Sequence, residues 1–135
     1  MHCPPSRPAG ITAISLFFAF GATMSGLTAM MLAFPGTALD SLWRLNPRAP
    51  VELVAFGRWA IVWMALVCAL CLMAAIGLWR CLRWGMKSAI FVLAVNLAGD
   101  LLNAAIGHDL RALIGIPVGG AMIAYLFARR RVFTL

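Results

Sequence analysis

The stretch NLAGDLLN, residues 96–103, places one acid and two amides in a run that is otherwise apolar. Asn96, Asp100 and Asn103 are four and three residues apart, which stacks them on one stripe of a helix. Ser88 lies on the same stripe two turns earlier. An aspartate facing lipid would cost about 3 kcal/mol on insertion scales, so the stripe should turn toward other helices. Two chemistries fit it. The first is an intramembrane site for a proton, a cation or a headgroup, the default for a buried acid. The second is a structural polar core, in which interhelical hydrogen bonds fix register. Asp100 is six residues from the end of its apolar run at Ile106, about 9 Å of helix, so water can reach it.

An acid in that position calls for a cation. Counted at about 1.5 Å per residue, Asp100 stands about 24 Å above Trp84 and Arg111 about 27 Å above Arg129 on the next apolar run. Arg58 comes out higher, about 31 Å above Trp79. Arg111 is therefore the expected partner and Arg58 the second choice, with Asp109 competing for Arg111. These residues form the expected polar cluster: Asn96, Asp100, Asn103, Arg111 and Arg58.

Other spacings carry less chemistry. Gly115 and Gly119 form a GxxxG, and Gly21 with Ser25 forms a second small-xxx-small pair. Both let helix backbones approach, within one chain or between copies. Cys68 and Cys71 make a C-x-x-C inside an apolar run. Four-span quinone-linked thiol oxidoreductases use such a pair, but they also need cysteines in an outer loop, and FPGTALDSLWRLNPRAPVE has none. Packing is the favoured role. His2 and His108 fall on opposite sides of the expected membrane and cannot share a metal. There is no H-x-x-x-H, nucleophile elbow or glycine-rich phosphate loop. No enzymatic activity, cofactor or metal is expected.

The elements that hold these residues follow from composition. Of 135 residues, 64% are hydrophobic and 11% charged, outside the range of ordinary soluble domains. Apolar runs at about 10–33, 56–79, 86–106 and 110–128 each approach the roughly 20 residues that cross a bilayer. The expected fold is all-α, a four-helix transmembrane bundle forming a single integral membrane domain over residues 1–135. The first run exceeds the core of a signal peptide, about 7–15 residues, and no clean cleavage site follows it, so it should be retained. After it, Thr37 and Asp40 have capping-box spacing and Asn46-Pro47 supplies a stop. Leu39, Leu42 and Trp43 share a face between them, which predicts a short interfacial helix anchored by Trp43. The turn RCLRWG makes runs two and three an antiparallel hairpin, and Pro117 should bend the fourth.

The net charge of +7 sits at the ends of apolar runs rather than on one face, which argues for membrane orientation and against nucleic acid. Arg7, Arg80, Arg83, Lys87 and Arg129–Arg131 fall on one side, and Arg44, Arg48, Arg58 and Arg111 on the other. Seven against four places both termini in the cytoplasm. Arg129–Arg131 could hold anionic headgroups, though an orientation signal accounts for them.

RPAGIT before the first run, LNP in the outer loop, NLAGDLLN, and RALIGIPVGGAMIAYL are similar to features of a kind of small four-span protein of the bacterial inner membrane. The resemblance implies a compact four-helix unit and brings no activity with it. Small multidrug exporters are of similar length, but their essential acid is a glutamate in the first span, where this chain has none. The expected role is an accessory or scaffolding component acting through helix and lipid contacts. The expected partners are the lipid bilayer and either another membrane protein or a second copy of the chain. A small transporter or channel-like unit built on Asp100 is the alternative.

Overall fold

A computed structural model describes residues 7–45, 47, 49–107 and 112–133, with side chains described except at positions 49, 52, 103, 107, 112 and 113. Among these residues the structure is helical, without strands. Helix α1 spans Ala9–Ala33, α2 Ala49–Val54, α3 Arg58–Trp79, α4 Arg83–Gly107 and α5 Ala112–Ala128. Two 3-10 segments lie at Ala38–Leu45 and Arg130–Val132. By length and composition α1, α3 and most of α4 are able to cross a membrane, and α5 contains a shorter apolar stretch, Ile114–Ala128.

The helix ends have local causes. The carbonyl of Pro8 accepts the N–H groups of Ile11 and Thr12, and its fixed φ suits helix entry. At the other end of α1, Pro35 cannot donate to a helical bond, and Gly36 turns the chain at φ +85. The expected capping box between Thr37 and Asp40 does not form. Asp40 accepts the N–H of Gly36 at 2.7 Å, while the Thr37 hydroxyl donates back to the carbonyl of Phe34. With the hydroxyl turned toward α1, it does not cap the next segment, and that segment winds as a 3-10 helix over Ala38–Leu45. Within it Leu39 and Trp43 are half-buried and Leu42 is exposed.

Helix α2 was not among the elements expected from the sequence. Pro50 sits in its first turn, where a missing N–H costs nothing. Gly57 closes it at φ +55, with its N–H on the carbonyl of Val54. The next long helix therefore starts at Arg58 rather than at Phe56.

The α3–α4 corner is tighter than the sequence suggests, because α4 begins at Arg83 instead of Met86. The N–H of Leu82 reaches the carbonyl of Gly77 at 2.8 Å and that of Cys81 reaches Leu78 at 3.0 Å. Cys81 takes φ 54 between them. This is a Schellman turn with cysteine in the left-handed position that glycine usually fills. Behind it Gly77 and Gly85 meet backbone to backbone, and a β-carbon on either would strike the other's main chain.

The chain divides into two compact units, Met1–Ala19 with Cys71–Leu135, and Phe20–Leu70. In the first, segments of α1, α3, α4 and α5 surround a buried core. Ile11, Ile14 and Phe18 come from α1, Ala74 and Leu78 from α3, Ala89 and Leu93 from α4, and Leu126 from α5. The Ser15 hydroxyl, itself buried, donates to the carbonyl of Ala75 at 2.8 Å and ties α1 to α3. Gly10 gives the ring of Tyr125 room to lie against α1. The second unit has a thinner core, with Ala22, Met31 and Ala60 buried among its described residues.

Candidate functional site

Helix α4 carries the polar stripe. Asn96 is exposed and Asp100 half-buried, and the side chain of Asn103 lies outside the described residues. The Asp100 carboxylate is pressed against Gly115 of α5, in the space where a β-carbon would sit. One turn along, Gly119 faces Leu97, whose Cδ1 lies 3.9 Å from where a β-carbon would be. The residue pairs 100 with 115 and 97 with 119 run in opposite directions, as antiparallel helices require. The bare face of α5 thus meets the acid-bearing face of α4.

Only part of the expected cluster falls among the described residues. Asp100 makes no hydrogen bond or ion pair among the described residues, and Arg111 lies outside them, as do Asp109 and His108. Arg58 opens α3, is exposed, and belongs to the unit that does not contain Asp100. What is on view is an acid on one helix and a glycine on the next.

The other small-residue pair is used differently. The Ser25 hydroxyl donates to the carbonyl of Gly21 at 2.7 Å, within α1 itself. The close approach on this stretch comes one residue later, where the Cys68 sulfur sits 3.3 Å from the position of a β-carbon on Gly26. Cys68 and Cys71 are thiols, and Cys68 fills that gap as a small apolar group. Cys81, by contrast, is disulfide-bonded. Among the described residues no three metal-ligating side chains come together.

Three contacts lie outside the sequence expectations: Gly77 against Gly85, Gly10 against Tyr125, and Ser15 to Ala75. Ser15 offered a signal, since a hydroxyl in an apolar helix needs a partner. The glycines offered none, because nothing in either segment marks the other as its neighbour. At the end of the molecule holding these contacts, the Arg7 guanidinium lies over the Trp79 ring at 4.2 Å and that of Arg129 over Tyr125 at 6.0 Å. Comparison with known proteins adds no relative: no family model, no curated protein and no solved structure matches the chain.

Proposed function

We propose that this chain is a small four-span protein of the bacterial inner membrane, with no enzymatic activity, that serves as an accessory or scaffolding component through helix and lipid contacts. The observation that carries this reading is the outward face of the long helices. Phe20 of α1, Val62 and Trp63 of α3, Phe91 of α4 and Ile114 of α5 are all more than half exposed. In water such a surface would aggregate, and in hydrocarbon it is the surface required. Helix α5, at 17 residues, is about 25 Å long against a core of about 30 Å, and it makes a short fourth span whose partner is α4. Phe56, Trp59 and Trp63 line an apolar cleft of about 660 Å³, a composition suited to the edge of a bilayer.

The deciding experiment is purification in mild detergent with mass spectrometry of what stays bound. A stoichiometric membrane protein retained equally by wild type and Asp100→Asn supports the accessory role. A chain that purifies alone and drives proton flux in proteoliposomes, lost in Asp100→Asn, supports the transporter reading instead. That second reading is favoured by one observation, the half-buried carboxylate of Asp100 held against Gly115 where α4 meets α5.

We propose that both termini are cytoplasmic, on the seven-to-four division of basic residues. The disulfide at Cys81 favours the opposite orientation, since such bonds persist in oxidising compartments. The charge bias governs the short loops here, and the state of Cys81 in cells provides an independent check.

A further inference from the structure

Beside the α3–α4 corner is a concave site of about 510 Å³ lined by Arg83, Met86, Lys87, Arg130, Arg131 and Phe133. Four of the six carry positive charge and none is acidic. The four cations are exposed, while Phe133 is only 1% exposed and forms an apolar floor. The Arg83 Nε donates to the carbonyl of Phe133 at 3.2 Å. That bond fixes the guanidinium at the rim and leaves its two terminal nitrogens, four N–H donors, for another acceptor. The first turn of α4 is at the same place and adds the positive end of its dipole.

We propose that this cavity binds the headgroup of an anionic phospholipid carrying more than one phosphate, of the diphosphatidyl class. Charge is the first reason. Four clustered cations repel one another, and a singly charged phosphodiester would leave three of them uncompensated. Place is the second, because the site lies at the ends of two apolar helices, α4 and α5, where a bilayer's headgroups would be. Basic recesses between helices at that depth are suited to such headgroups. The apolar floor at Phe133 and the stem of Met86 fit the glycerol and first methylenes of a lipid better than a free hydrated anion. The site rests on the membrane reading above, and it deepens the lipid contacts of the accessory role.

The test is native mass spectrometry of the full chain in neutral detergent, titrated separately with diphosphatidylglycerol, phosphatidylglycerol, phosphatidylcholine and inorganic pyrophosphate. Diphosphatidylglycerol should be retained most tightly. Each of Lys87→Gln, Arg130→Gln and Arg131→Gln should weaken it about fivefold, from about 1 kcal/mol for each cation near the surface. Arg58→Gln should leave it unchanged. Lys87→Arg keeps the charge and should retain binding, which separates loss of the site from loss of the fold. Equal retention of phosphatidylcholine, or unchanged binding in the three charge-removing variants, overturns the site. Pyrophosphate retained as well as the lipid overturns the lipid as its occupant. Carbonate extraction of the same variants reports membrane integration separately, so loss of the headgroup site with integration intact leaves the membrane reading standing.

Discussion

The carboxylate of Asp100 on α4 occupies the space that a side chain at Gly115 of α5 would need. The two positions therefore define each other: the acid can sit at this helix interface because its neighbour has no β-carbon. The GxxxG of α5 serves here as a seat for a polar group as well as a close-packing face.

That relationship predicts opposite results at two glycines four residues apart. Gly115→Ala must push the carboxylate aside and should destabilise the chain in detergent by about 1–3 kcal/mol. Gly119→Ala meets only Leu97 at ordinary contact distance, 3.9 Å, so it should be neutral or stabilising by up to about 1 kcal/mol from helix propensity. Adding Asp100→Ala to Gly115→Ala should recover most of the loss. Additive effects in that thermal-denaturation cycle would show that the two residues do not touch.

A sharper effect is expected at the α3–α4 corner. In Gly77→Ala or Gly85→Ala the new methyl strikes backbone rather than a side chain that can rotate. Each should cost at least the upper part of the overpacking range, about 3 kcal/mol. The measurement is the melting temperature in detergent beside Gly36→Ala, where a β-carbon has open space but φ is +85. A melting temperature for Gly77→Ala at or above wild type would contradict the contact.

Ser15→Ala removes the hydrogen bond from α1 to the Ala75 carbonyl. The loss should be modest, about 0.6–1.7 kcal/mol, as for other interhelical bonds in membranes. Ser15→Thr keeps the hydroxyl and should restore part of it if the added methyl is accommodated. A wild-type melting temperature for Ser15→Ala would mean that the bond contributes nothing.

Orientation can be read in cells. Reporter fusions after Trp84 and Leu135 should give the cytoplasmic signal, and one at Asn46 the exterior signal. With that orientation, a permeant maleimide should label Cys81 without prior reduction, because the cytoplasm keeps such thiols reduced. Labelling that appears only after reduction, with the fusion signals reversed, would place the corner outside.

Much of the helical layout was legible in the sequence because hydropathy changes sharply at its boundaries. Pro8, Pro35 and the RCLRWG turn mark the ends of α1 and α3 to within a few residues. The short α2 was missed although Pro50 and Gly57 bracket it, since six residues do not set up a hydrophobic period. Asp100 stood out by type, and the helical spacing placed it on a stripe with Asn96 and Asn103. The stripe did not say which neighbour it faced. Arg58 was within reach by height alone, yet height along a helix carries no azimuth, so it could not single out a partner. Gly77 and Gly85 were invisible for a related reason: contact between bare backbones leaves no residue pattern beyond the glycines themselves.

The α3–α4 corner also bears on how the chain is made. The turn hydrogen bonds and the glycine contact that shape it, from Gly77 to Gly85, are contiguous in sequence. They involve neither α1 nor α5, and they can form soon after residue 85 leaves the ribosome. The two long helices can then enter the bilayer as a preformed wedge, with α5 added last along the exposed flank of α4. If packing follows the order of synthesis, a ribosome stalled before α5 should already hold a membrane-inserted hairpin.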